Sequence, residues 1–369
     1  MCLVTGRLQI RTTAVGFALL LSGSPPVSAS EAFPDRFQVV LGDLRPGSGI
    51  AVGADYVHSH FASGLFDLRL GSRVSHRLYQ RHEVEITFPH VIDERLFIDV
   101  LALYRSYTEI DYFGIGPASR EESQSDYHIA GPAVFATVGF RPTRKSSFGA
   151  RVGRLQSSLD SGRSGDLPSL EETFDPSELP GLVEKPDHFL FGGFGLVDLR
   201  NDPEDPTAGA YYEVQTTAYR DRGWDRFDFE ELSVEAQHFV PLKPRWTLAT
   251  RVKGVFSRTA EGQEIPFFLL PSLGGTSSLH GFENDRFRDG NLLFMNAELR
   301  YELRPSIRLE GLVDVGQVFP GFDSLRLGGF ELSTGIGARY KLGQKVLVGV
   351  SFGVGREGPR IGMTGNFRF

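Results

Sequence analysis

The sequence predicts an all-β fold: a closed antiparallel transmembrane β-barrel, with sixteen strands as the best count and fourteen as the alternative. Three observations predict it. The last ten residues alternate, with Ile361, Met363, Gly365, Phe367 and Phe369 on one face and Arg360, Gly362, Thr364, Asn366 and Arg368 on the other. A side-chain period of two is that of a strand, and a tilted strand of about 9–11 residues crosses a bilayer. The same alternation recurs upstream along the chain, and the connections between segments alternate between short and long.

The amino end carries Arg7 and Arg11, an apolar run from Ala14 to Leu21, and then Pro25-Pro-Val-Ser-Ala29. A basic start, a short apolar stretch and a small-residue cleavage site form a signal peptide, read as residues 1–29 with cleavage after Ala29, give or take two residues. The run is too short to span a bilayer as a helix. The remainder, residues 30–369, reads as one barrel domain. The sole cysteine is Cys2, inside the signal, so the exported part can hold neither a disulfide nor a Cys-ligated metal. The formal net charge is −7 with no basic block, which argues against a nucleic-acid partner. The high counts of Gly (43) and Phe (30) suit a barrel with aromatic girdles.

Strands are numbered from Phe37. Asn291 to Leu303 places Leu293, Met295, Ala297, Leu299, Tyr301 and Leu303 outward, with Asn296, Glu298, Arg300 and Glu302 opposite. Trp246, Leu248, Val252 and Phe256 form a second stripe, backed by Thr247, Arg251 and Lys253. Val346, Val348, Val350, Phe352 and Val354 form a third. Charges of both signs on the second face would be ruinous in lipid and are natural in a hydrated lumen. The even-to-odd connections are short: His58–Ala62, Pro89–Glu94, Arg141–Ser146, Pro241–Arg245, Arg304–Ser306 and Leu342–Lys345. The odd-to-even ones include all the long ones: Ile110–Asp126, Ser157–Asp187, Thr259–Gly290 and Pro320–Gly329. Short periplasmic turns and long outer loops are the barrel asymmetry, and an error of one strand would scramble this parity. The polar stretch 157–187 reads as a mobile external loop.

Five segments carry more than architecture. They are Asp111-Tyr-Phe-Gly-Ile-Gly-Pro117, Asp198 to Gly209, Leu273-Gly-Gly-Thr-Ser-Ser-Leu-His-Gly-Phe282, Asn296-Ala-Glu-Leu-Arg300 and Val313-Asp-Val-Gly-Gln-Val318. Within Asp198–Gly209, Pro203, Pro206 and Gly209 stop a strand and stiffen a turn, and Asp198 and Arg200 share a face and can pair. As a tight turn it needs no further role. Gly274, Gly275 and Gly281 give a loop the freedom to fold back on itself.

In order and spacing these segments resemble the barrel of the BamA/TamA-type bacterial surface-antigen superfamily, over about residues 105–369. The resemblance implies a bacterial outer-membrane location, and the terminal Phe367 and Phe369 resemble the sorting signal of such barrels. It implies that the long sixth outer loop folds into the lumen, its tip Leu279-His280-Gly281-Phe282 meeting an inner wall of Asp314, Gly316, Glu298 and Arg300. The family tip usually has Arg where this chain has His280. An Arg fork grips a carboxylate bidentately at any working pH, whereas a mostly neutral His makes one such bond. Either the loop is held more loosely, or Arg286 or Arg288 takes over the contact. Family members that insert barrels carry periplasmic repeat domains. Here strands begin soon after the cleavage site, as in a short, barrel-only branch.

The resemblance implies insertion or transport of proteins or lipids through a seam between the first and last strands, eased by Gly42 and a short last strand. The implied partners are outer-membrane lipids, periplasmic chaperones or a separate periplasmic component, and unfolded outer-membrane protein clients. No cofactor is expected. The alternative is a passive or plugged pore, or a structural barrel. An outer-membrane hydrolase is the weakest reading, because the carboxylates and nine His are scattered. His82, His90 and Asp93, placed near one rim, are its best candidates.

Overall fold

The computed structural model describes residues 37–42, 44–61, 65–92, 95–342 and 345–365. Residues 1–29, read above as a signal peptide, together with Asp93, Phe367 and Phe369, lie outside the described residues. Sixteen spanning strands follow one another. They are β1 (Phe37–Gly42), β2 (Ala51–His60), β3 (Phe66–Ser75), β4 (Gln80–Ile92), β5 (Leu96–Tyr112) and β6 (Ser125–Thr143). Then come β7 (Ser146–Gln156), β8 (Asp187–Asp198), β9 (Gly209–Asp221), β10 (Phe229–Lys243) and β11 (Trp246–Thr259). The last are β12 (Asn291–Arg304), β13 (Ile307–Phe319), β14 (Glu331–Leu342), β15 (Lys345–Gly355) and β16 (Gly358–Gly365). Each pairs antiparallel with the next. Beyond Ser157 a short continuation of β7, Ser158–Ser161, pairs with β6.

The alternation read from sequence is the division between lipid and lumen. Val252, Met295, Leu299, Val348, Val350, Phe352 and Val354 face outward and are exposed on the isolated chain, where the bilayer would cover them. Thr247, Asn296, Glu298 and Arg300 are buried inside. Period two keeps the polar and charged side chains of these strands on the lumen face and the apolar ones toward hydrocarbon. The sheet curls until β16 approaches β1 and leaves one seam unsealed.

The outer mouth is capped. Tyr112, Tyr127 and Phe267 meet edge to face at 5.2–6.5 Å, and Phe174 packs on Tyr112 at 5.0 Å. Leu170, Leu179 and Leu182 are buried in the same cluster. The polar stretch read as a mobile loop is therefore folded. It carries a short helix, Leu170–Thr173, with a Ser169/Glu172 capping box, and its few leucines turn down onto the aromatic floor. Its polar majority hid those apolar anchors. The rim placement of His82 and His90 also fails. His82 lies near the outer end of β4, paired with Ser72, and His90 near the inner end of the same strand.

Val252 sits at the middle of β11 on the lipid face. Val252→Arg is expected to destabilise the barrel by about 2–4 kcal/mol, read from the denaturant midpoint of unfolding from vesicles. A change below about 0.5 kcal/mol would mean that Val252 does not face lipid.

Candidate functional site

The sixth outer loop, between β11 and β12, enters the barrel. Ser272–Leu273 pairs with Phe287–Arg288 to make its neck. Below the neck, Gly274 has φ +130°, and a Cβ there would lie 2.1 Å from the Glu283 carbonyl oxygen, so only glycine lets the chain reverse. Ser278 Oγ accepts the Gly274 N–H at 2.8 Å, and the Gly275 N–H reaches the Phe282 carbonyl at 3.1 Å. Leu279 and Phe282 are buried with Leu273, Phe287, Phe294 and Val318, which anchors the tip. Gly316 on β13 lies beneath Leu273. The tip also touches a strand backbone directly. A Cβ on Gly281 would lie 2.3 Å from the Gly355 nitrogen, and one on Gly353 would lie 2.4 Å from the His280 carbonyl carbon.

His280 itself makes the wall contact. Its backbone N–H (3.1 Å) and its ring Nδ1 (2.9 Å) both reach Asp314 Oδ2. Asp314 is fully buried and also accepts from Asn296 Nδ2 (2.6 Å) and Ser333 Oγ (2.8 Å). The backbone N–H supplies the second bond that an imidazole ring lacks. Burial opposes the charged ring, but the hydrogen bond to Asp314 and the charges of Asp314 and Glu298 outweigh it and the opposing Arg339. The His280 pKa is therefore raised. Arg286 and Arg288 do not take over this contact. Arg286 binds Glu357 (2.8 and 2.9 Å) and Ser119 (2.8 and 2.9 Å). Arg288 binds the Phe267 carbonyl (3.1 Å) and the Tyr127 hydroxyl (3.3 Å).

From the opposite end, the turn between β8 and β9 also enters the lumen. Asp198 holds Arg200 at 2.7 and 2.9 Å. Asp205 is buried against Arg308 and Lys341, and the Pro206 carbonyl accepts from Arg300 Nη1 at 3.3 Å. Burial favours the neutral acid, yet Arg308 and Lys341 hold the Asp205 carboxyl below its usual range. Gly209, with φ +105°, turns the chain back into β9. Between turn and tip runs a ladder of ions on the inner wall. Glu298 accepts from Arg300 (2.8 Å) and Arg339 (3.5 Å), and Glu310 from Arg308 (2.9 Å) and Arg339 (2.8 Å). Sequence reasoning named Glu298, Arg300 and Asp314 but missed Asp205, Arg308, Glu310, Arg339 and Lys341. Arg308 and Glu310 alternate with Leu309, which is the signal that could have placed them inside.

The third part of the site is the seam. Among the described residues no ladder joins β1 to β16; β1 pairs only with β2, and β16 only with β15. The sixth loop bridges the outer ends of β1 and β16. On one side, Asp285 pairs with Arg45, just past β1, and accepts from Ser272 Oγ at 2.6 Å. On the other, Glu283 pairs with Arg360 of β16 (2.9 Å) and Arg286 with Glu357 (2.8 Å). Arg360 also pairs with Glu121 of the third outer loop. Burial would raise the Asp285 pKa, but Arg45 and Arg288 override it and lower it.

With this geometry in place, comparison with known proteins is informative. The Omp85 superfamily domain matches residues 70–355. Among solved structures, BamA from Haemophilus ducreyi lacking POTRA domains 1–3 aligns with a TM-score of 0.66 at 16% identity, covering 90% of this chain and 70% of that one. CdiB from Acinetobacter baumannii aligns at 0.55 and 14% identity, over 90% of this chain and 59% of that one. CdiB from Escherichia coli aligns at 0.54 and 14% identity, over 91% and 63%. At these identities the likeness is one of fold. No curated protein matches the chain.

The raised His280 pKa gives a signed expectation. The ionic part of the His280–Asp314 contact is fully present below the ordinary imidazole pKa of 6.5 and is lost as pH rises through the raised folded value. The protection of residues 274–283 against hydrogen exchange, corrected for the intrinsic rate at each pH, is expected to fall over that rise, and His280→Arg should abolish this fall. Flat protection in the unmodified chain would show that the contact does not depend on ring charge.

Proposed function

The chain belongs to the Omp85 superfamily, and on that premise we propose that it assists insertion or transport of proteins or lipids at the bacterial outer membrane through the β1–β16 seam. An Omp85-type barrel indicates the bacterial outer membrane, and barrels of this superfamily work with periplasmic components and protein clients. The observation that carries the reading is the seam. The two edge strands meet without a ladder among the described residues, and side chains of one loop span their outer ends. A client strand can add to such an edge through backbone hydrogen bonds, with register set by alternate side chains. Gly42 ends β1 where the bridge begins. Parting there would break no ladder among the described residues. Unfolded outer-membrane proteins are the proposed clients, delivered by a chaperone or a separate periplasmic component.

A specific observation also favours a second reading, a plugged pore. Loop and turn enter the lumen from opposite ends and share one ionic wall. The two readings separate by experiment.

For the first, paired cysteines at Gln38 and Thr364 face no thiol competition once the segment holding Cys2 is removed. The barrel in liposomes is expected to accelerate folding of a small reporter outer-membrane protein beyond an unrelated barrel. The oxidised tether should abolish that acceleration and reduction restore it. Equal activity with the tether closed would rule out seam opening. For the second, deletion of residues 276–288 is expected to raise ion conductance in planar bilayers, and a barrel that stays silent would count against a loop plug.

A further inference from the structure

The inner rim of the barrel carries cations that the ionic wall does not use. Arg144 and Lys145 lie in the β6–β7 turn, Lys243 and Arg245 flank the β10–β11 turn, and Arg304 ends β12. All five are exposed. None has an acidic partner within ion-pair distance among the described residues. At the outer end some well-exposed arginines hold acids, as Arg258 holds Glu230 at 2.6 Å, Arg226 holds Glu264 at 2.8 Å and Arg356 holds Glu331 at 2.8 Å, while Arg120, Arg163 and Arg326 have no acidic partner within ion-pair distance among the described residues.

The acids near the inner rim are occupied elsewhere. Asp205 and Glu302 bind Lys341, and Asp198 binds Arg200. Asp202 accepts the N–H groups of Glu204 and Asp205, which leaves Glu204, half-buried, as the remaining acid of that turn. Folding the acidic turn into the lumen thus leaves the outward rim from β6 to β13 positive.

Aromatic rings fix the depth of these cations. Trp246 follows Arg245 directly, and its ring lies 4.7 Å from that of Tyr301, its partner across the strands. Phe140 and Phe148 face each other across β6 and β7 at 5.5 Å, just above Arg144 and Lys145. Rings at the barrel ends sit at headgroup level, so a cation one or two residues beyond them stands at the height of the lipid phosphates.

We propose that Arg144, Lys145, Lys243, Arg245 and Arg304 form a docking face for anionic phospholipid headgroups of the inner leaflet. The face occupies the half of the barrel away from the seam. It takes the charge of the headgroup rather than the shape of one lipid, because the side chains stand on separate turns. It depends on the orientation of the short turns toward the periplasm and not on any transport activity.

The test is native mass spectrometry of the full chain in neutral detergent doped with equal phosphatidylglycerol and phosphatidylcholine. Retained lipid is expected to be mainly phosphatidylglycerol. Changing all five residues to Gln should remove that preference, by up to about fivefold per cation. A control with Arg222→Gln and Arg258→Gln on the outer side should keep it. A second variant, Arg144→Lys, Arg245→Lys and Arg304→Lys, preserves charge and should also keep it, so the idea is tested even if the Gln variant fails to fold. Equal retention of both lipids, loss of the preference in the outer control, or its loss in the Lys variant would overturn the proposal. An acidic protein as the true occupant would give equal retention.

Discussion

A backbone crossing hydrocarbon has no water to bond, so every amide and carbonyl of a spanning strand needs a strand neighbour on both sides. Among the described residues, antiparallel ladders between successive strands meet that demand everywhere except at two edges. The closing task therefore passes from backbone to side chains at the seam. It falls to the sixth loop because that loop is already fixed in the lumen by apolar anchors and by His280. Its Glu283–Arg286 stretch emerges between the two edges and reaches both. A wall made to hold a loop thus also governs a gap some strands away.

The wall is strong in one sense and fragile in another. A buried ion pair gains little net stability over a well-packed apolar pair, but removing one partner of it is strongly destabilising, by about 3–5 kcal/mol, because a charge is left buried and alone. The run from Arg300 through Glu298, Arg339 and Glu310 to Arg308 and Asp205 shares its members, so no residue in it can be changed in isolation. This favours specificity of arrangement. Loop and turn each have one place to go.

The architecture was legible because period two and the parity of short and long connections are local properties of a chain. Strand count and the lipid face follow from them, as the stripes at Met295, Leu299 and Val350 illustrate. The family motifs extended that reading to Asp314 as the wall carboxylate. What stayed hidden depends on strand tilt and stagger, which bring together residues far apart in sequence. Arg45 and Asp285 lie 240 positions apart, and Asp205 and Lys341 136. No spacing rule links such pairs. At the tip the second bond comes from the His280 backbone N–H, which a comparison of side chains alone does not count. The stretch 157–187 misled because four buried leucines, Leu159, Leu170, Leu179 and Leu182, outweigh its polar composition once an aromatic floor exists beneath them.

That cap has a bearing on assembly itself. The segment before β8 and the one before β12 are joined outside the barrel, the Phe267 N–H bonding the Pro180 carbonyl at 2.9 Å and Arg226 bridging Glu184 and Glu264. Both segments have to be drawn through hydrocarbon, where their polar backbones find no partners, before they can meet. Their docking can only follow translocation. Once Phe267 is seated among Tyr112, Tyr127 and Phe174, retreat would expose that cluster and pull paired charges back into lipid. The cap is a ratchet: it contributes nothing to the forward step and makes the backward one slow, so the finished barrel is held in its orientation by kinetics as well as by equilibrium stability.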